Sequence, residues 1–152
     1  MVFASPFPLS EVVARMLEHS SNFIANQLLI AAGAQVHGLP GTLEKGVRLA
    51  CDHARQNLGW TRFQLVEGSG IARRNQVTAA DLDRLLAAFV PYRHLLPGQG
   101  RTRYKTGTLN GIQTRAGYIE GNHGMTYRFV ILINTHGRRA DAVLDVLAKR
   151  LP

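Results

Sequence analysis

The dipeptide Asn110-Gly111, set between two runs of strand-like residues, commits the last third of this chain to a β-hairpin. A two-residue hairpin turn asks for φ > 0 at its central positions, and Asn-Gly supplies that most readily. Tyr104 to Leu109 reads as the strand before it and Ile112 to Ile119 as the strand after it. Gly121 to Gly124 forms a second turn, and Phe129-Val130-Ile131-Leu132-Ile133 follows as an almost unbroken apolar run. Such a run is expected of a central strand covered on both faces. Three antiparallel strands result. A terminal helix over about 138–150 then puts Ala142, Leu144, Val146 and Leu147 near the core.

Upstream the period is helical. Ser5-Pro6-Phe7-Pro8 is an extended lead-in, because proline pushes its predecessor out of the helical region. Ser10 is placed to cap a short helix with the apolar stripe Val12, Val13, Met16 and Leu17. The pattern breaks at His19-Ser20-Ser21-Asn22. A second helix carries Phe23, Ile24, Gln27, Leu28 and Ala31, and Gly33 is expected to stop it. Gly38-Leu39-Pro40-Gly41 is a turn. Thr42 then caps a helix of about four turns ending near Gly59, and Phe63 to Val66 is a short strand-like run. Glu67-Gly68-Ser69-Gly70 is a tight loop. Thr78-x-x-Asp81 is a capping-box pattern ahead of Leu82, Leu85, Leu86 and Phe89. Pro91 ends that helix, and 91–102 reads as loop. Helices first, then strands and a last helix, is an α+β arrangement. The chain of 152 residues is read as one domain, with a helical part over about 9–90 and a sheet and terminal helix over about 103–152.

Charge is uneven along this order. Residues 1–90 carry eight Lys/Arg against seven Asp/Glu, and residues 91–152 carry ten against three. A basic face suits an anionic partner. Nucleic acid is disfavoured, because the basic residues form no block. Arg101, Arg103 and Lys105 alternate instead, which would put them on one strand face and fits a small anion equally well. No apolar run approaches the roughly 18 residues that cross a bilayer. Met1-Val2-Phe3 has neither the basic nor the long apolar region of a secretory signal. Cys51 is alone, so no disulfide framework exists; it reads as a small buried hydrophobe. The six histidines show no metal-ligand spacing, and no cofactor is expected.

Two short motifs carry chemistry. Ser20-x-Asn22 lies between two helices, and Lys105-Thr106-Gly107 lies on the first hairpin strand. Read separately, Ser20 is a cap for the helix starting near Asn22, and Lys105 is a solvated strand residue. Together, in this order and on these elements, they match two of the three motifs of the active-site-serine penicillin-recognising enzymes. Further stretches agree: Ser5 to Glu11, Ser20 to Leu29, Val66 to Asn75, and Lys105-Thr106-Gly107-Thr108-Leu109 with Ala116-Gly117-Tyr118. The chain resembles the low-molecular-mass penicillin-binding proteins of the D-Ala-D-Ala carboxypeptidase/endopeptidase family over nearly all its length. The family's Asp-Gly-Ser-Gly stands here as Glu67-Gly68-Ser69-Gly70.

The resemblance implies the C-terminal part of a transpeptidase-like (β-lactamase-like) fold and a serine peptidase acting on peptidoglycan stem peptides in the periplasm or cell envelope. It implies that Lys105 pairs with the Ser20 hydroxyl and helps move a proton to the leaving amine, and that Asn22 holds the substrate amide. Thr106 and Thr108 would bind the terminal carboxylate of the peptide or of a β-lactam. The N–H of Thr108 would be an oxyanion donor, and Gly107 would let the substrate backbone lie close to the strand. His19, beside Ser20, has no partner at nucleophile spacing. Ser-x-x-Lys, the nucleophile motif, is absent: three residues after Ser5, Ser10, Ser20, Ser21 and Ser69 stand Pro8, Val13, Phe23, Ile24 and Ala72. The family places that motif upstream, with the first two strands of the sheet. Inactivity of the chain alone is therefore expected, with an N-terminal half on another chain or self-association through an open strand edge. A non-catalytic peptidoglycan-binding module, holding its ligand near Arg101, Arg103 and Lys105, is the alternative reading.

Overall fold

The computed structural model describes residues 5–152; Met1-Val2-Phe3, read above for a targeting signal, lies outside the described residues. Helices α1 (Leu9–His19), α2 (Asn22–His37), α3 (Leu43–Gln56) and α4 (Ala79–Phe89) come first. A 3-10 turn over Val90–Leu95 leads into strands β1 (Gly98–Gln99), β2 (Thr102–Leu109), β3 (Ile112–Glu120) and β4 (Thr126–Ile133), and α5 (Ala140–Arg150) closes the chain. The sheet is antiparallel with its strands in sequence order. It has four strands where three were expected. Gly98–Gln99, inside the segment read as loop, pairs with Thr102 and Arg103.

Several local expectations hold. Thr78 accepts the Asp81 N–H at 3.1 Å while the Asp81 carboxylate accepts the Thr78 N–H at 3.1 Å, a complete capping box. Of the strand-like run Phe63 to Val66 only Gln64 pairs, in an isolated bridge with Gln76. Other expectations are corrected. Ser10 caps nothing, because Pro8 already occupies the cap position of α1. At the hairpin Gly111 takes φ 77°, but Asn110 is not at positive φ, so the turn needs the left-handed conformation at one residue rather than two. Cys51 is only half-buried. Arg101 falls in the turn before β2, and its guanidinium donates to the Ala148 carbonyl and, at 3.0 Å, to the Leu151 carbonyl at the end of α5. It therefore leaves the face that Arg103 and Lys105 share, and the three-residue basic cleft does not form.

Gly33 does not end α2, which runs on to His37. Gly33 instead packs on Gly46 of α3: a β-carbon there would come within 2.7 Å of the Gly46 Cα. The glycine is a point of close helix approach inside the helix rather than a stop.

The sheet is covered on both sides. On one face Ile119, Phe129 and Ile131 pack with Ala140 and Leu144 of α5. On the other, Tyr118 packs with Leu86 of α4 and with Leu96. The apolar run in β4 is thus covered on both faces, buried at Phe129 and Ile131 and half-buried at Val130 and Leu132, but β4 lies at the end of the strand order and not at its centre. Hydrophobicity on both faces reports what lies above and below a strand, not what lies beside it.

Candidate functional site

The site forms where the α1–α2 junction meets β2. Ser20 follows α1 in the left-handed region, φ 51° and ψ 44°, and closes α1 through its own N–H to the Met16 carbonyl. For a residue with a β-carbon that conformation costs roughly 1–2 kcal/mol. Capping of α2 falls to the next residue: the Ser21 hydroxyl accepts the Ile24 N–H at 3.3 Å. Ser20 is therefore not the helix cap it resembles in isolation. Its Oγ is free to meet β2 and accepts a hydrogen bond from Lys105 Nζ, 85 positions away in the chain. The same ammonium donates to the Thr106 carbonyl at 2.8 Å. Partial burial, reinforced by the nearby charge of Arg115, holds the Lys105 amine below its ordinary range. Asn22, the first residue of α2, stands exposed two residues after Ser20.

The outer edge of β2 is the second part. The Tyr104 N–H pairs with the Pro97 carbonyl at 3.1 Å, on the β1 side. Alternation in an antiparallel ladder then turns the N–H groups of Thr106 and Thr108 to that same side. The short β1 pairs only with Thr102 and Arg103. Among the described residues no strand covers the edge at Thr106 and Thr108, and both side chains are exposed. A groove of about 310 Å³ opens beside Thr106, with Leu17, Glu18, Pro97, Gly98 and Gln99 in its walls. Gly107 is explained partly from within the sheet: a β-carbon there would press on the Thr114 hydroxyl.

The loop Glu67 to Gly70 supports this region. The Glu67 carboxylate accepts the N–H groups of Ser69 at 2.6 Å, Gly70 at 2.9 Å and Ala72 at 3.2 Å, and the Asn75 side chain at 2.6 Å. The Gly68 N–H donates to Asn26 Oδ1 of α2 at 2.8 Å, which ties the loop to the helix carrying Asn22. Burial raises the Glu67 pKa, but the hydrogen bonds led by those from Ser69 outweigh it and leave the group below its ordinary 4.5. Charged hydrogen bonds of this kind are worth about 1.5–3 kcal/mol, so Glu67→Gln is expected to lose about 1.5 kcal/mol in urea unfolding at pH 7. A carboxylate with a depressed folded pKa stabilises above its unfolded pKa and loses that contribution as pH falls through the folded one. The gap between the two proteins is therefore expected to close on acidification below about pH 4.5.

Sequence reasoning missed two groups here. Arg115, on β3 opposite Thr106, is buried and pairs with Asp141 of α5 through Nε at 2.8 Å and Nη2 at 3.2 Å. Its position on a strand was legible, but a partner 26 residues away was not. Among the described residues no three His, Cys, Asp or Glu side chains gather where a metal could be held.

The sequence profile of the D-Ala-D-Ala carboxypeptidase 3 (S13) family matches residues 2–94 and 91–151. The chain is 30% identical over 173 aligned positions to a D-alanyl-D-alanine carboxypeptidase of Actinomadura sp. (strain R39), covering 94% of this chain and 32% of that protein. It is 25% identical to carboxypeptidase DacB of Mycolicibacterium smegmatis (strain ATCC 700084 / mc(2)155), covering 93% of this chain and 37% of that one. The fold superposes on penicillin binding protein 4 (dacB) from Haemophilus influenzae, solved in complex with a β-lactam, with a TM-score of 0.76 at 22% identity over 87% of this chain and 36% of that one. The chain spans about a third of the length of these relatives. With the profile matching almost end to end, and with the Ser-x-Asn and Lys-Thr-Gly motifs meeting in space, the chain belongs to the D-Ala-D-Ala carboxypeptidase 3 (S13) family of low-molecular-mass penicillin-binding proteins.

Proposed function

We propose that these residues form one wall of a serine D-Ala-D-Ala carboxypeptidase site acting on peptidoglycan stem peptides in the cell envelope, with the nucleophilic serine supplied from outside this sequence. The observation that carries the reading is the hydrogen bond from Lys105 Nζ to Ser20 Oγ beside an open strand edge. In this reading an extended peptide lies along β2, Asn22 holds its amide, and Thr106 and Thr108 take its terminal carboxylate. The Thr108 N–H meets the developing oxyanion. A serine attacks the penultimate carbonyl, Ser20 and Lys105 relay its proton to the departing D-Ala amine, and water then releases the acyl group. A lysine amine held below its ordinary pKa suits that relay, since proton transfer is fastest between groups of matched affinity.

None of the five serines in this sequence begins a Ser-x-x-Lys motif. The 152-residue chain alone is accordingly expected to take no label from a fluorescent penicillin in a gel assay, and label is expected once a family segment bearing that motif is added. Stable label on the chain alone would overturn the assignment of roles. The open edge of β2 supports a second reading, a module that binds stem peptides without turnover, because strand pairing needs no nucleophile. Peptide binding by calorimetry without any gain of labelling in the mixture would favour it.

A further inference from the structure

We propose that Arg115 is a positioning residue for the Lys105–Ser20 couple and the Thr108 N–H, acting from the opposite face of the sheet with Asp141 as its counter-charge. This rests on the reading of Lys105 as the proton carrier. Side chains alternate along the hairpin, so Lys105 faces the helices while Arg115, paired in register with Thr106, faces α5. The Arg115 side chain is 9% exposed, and its donors are taken up by Asp141 of α5 and by the sheet itself. Nε and Nη2 grip the Asp141 carboxylate, Nη1 donates to the Thr114 carbonyl at 2.8 Å, and it reaches the Gly107 carbonyl at 3.5 Å.

Two consequences bear on the site. The Gly107 carbonyl belongs to the same peptide unit as the Thr108 N–H, and in a trans peptide the two point in opposite directions. A guanidinium against that carbonyl sets the tilt of the donor facing the open edge. The second consequence is electrostatic. A buried guanidinium opposes a proton on Lys105 through the sheet, where screening is weak. Glu18 and His19 at the end of α1 are titratable groups on this side of β2 and are largely exposed, and Arg103 on β2 is partly spent on Glu120. Asp141 governs how much of the Arg115 charge is felt. It is anchored in the first turn of α5, where Gln113 Oε1 also accepts the Ala140 N–H at 3.0 Å.

The test is a pH titration by NMR of the full chain with 13Cε-labelled lysine, in which Lys45, Lys105 and Lys149 give the signals, joined by one further signal from the introduced amine in Arg115→Lys. Arg115→Gln is expected to raise the Lys105 midpoint, and Asp141→Asn to lower it by leaving the guanidinium uncompensated. Arg115→Lys keeps the charge and loses the fork, so it is expected to leave the Lys105 midpoint nearly in place while shifting the Thr108 amide resonance. Should Arg115→Gln fail to fold, the other two variants carry the test. A general loosening of the structure would move both midpoints the same way. That result, or an unchanged Lys105 midpoint in folded Arg115→Gln or Asp141→Asn, overturns the proposal. The titration needs no turnover, so it stands or falls separately from penicillin labelling.

Discussion

Replacing Tyr118 by alanine is expected to remove about 4 kcal/mol of stability, within the roughly 3–5 kcal/mol range for deleting a buried aromatic ring. Tyr118 is 1% exposed and sits where the sheet meets the helical part of the chain. Its ring packs with Leu86 and Leu96, with Leu17, Phe89, Val90 and Val130 around them. Its hydroxyl donates to the Leu86 carbonyl in α4 at 2.6 Å. Tyr118→Phe keeps the ring and loses only that hydrogen bond, so about 1 kcal/mol is expected. Urea unfolding followed by circular dichroism separates the two; a Tyr118→Ala loss no larger than that of Tyr118→Phe would refute the packing argument. The two also differ in alkali. Burial raises the Tyr118 pKa above its ordinary 10, against the opposing pull of Arg128 and Arg93. A raised folded pKa stabilises fully below the unfolded value and is lost as pH climbs through the folded one. Wild-type stability is therefore expected to fall above about pH 10 by a component that Tyr118→Phe lacks.

Gly46→Ala is expected to destabilise by about 3 kcal/mol. In an isolated helix the change would help, since alanine is better than glycine by about 1 kcal/mol. Here the new methyl would meet the Leu29 backbone carbonyl, with its carbon at 2.7 Å, and the Leu29 Cγ at 2.8 Å. Overpacking typically costs about 1–3 kcal/mol, and a backbone cannot swing aside as a side-chain tip can. Helices α2 and α3 must separate, and the collision outweighs the propensity gain. Gly38→Ala is the control. It follows the end of α2 with φ 77°, and no atom lies within 4 Å of its β-carbon, so only the conformational term of roughly 1 kcal/mol applies. Thermal melts that rank Gly38→Ala as the worse variant would contradict the close-crossing account. Because Asn22 is carried by α2, separation at Gly33 and Gly46 would also be felt at the site.

Much of the candidate site was legible before any fold was drawn. Ser20, Asn22 and Lys105 stood out because the order and spacing of their motifs are properties of the chain, and the structure brings Ser20 and Lys105 into hydrogen-bond contact. Other features could not be read. Ser20 reads as the cap of α2 by its letter; the backbone at Ser20, turned left-handed, hands the cap to Ser21 and leaves Ser20 for Lys105. Gly33 offers the same letter whether it ends a helix or lets another helix approach, and only the presence of Gly46 beside it decides. The two residues of β1 lie between Pro97 and Gly100, too short for any alternation to show.

The sequence by itself determined the α+β order, the hairpin about Asn110-Gly111, the capping box at Thr78 and the motif pair that marks the family. Each of these rests on turn chemistry or side-chain period within a few residues, or on letters alone. Only the tertiary structure decided that β4 lies at the end of the strand order, that the β2 edge stays open at Thr106 and Thr108, and that Arg115 is neutralised by Asp141. Those outcomes depend on which surfaces meet across 26 to 85 residues of chain, and no local preference encodes a distance of that kind.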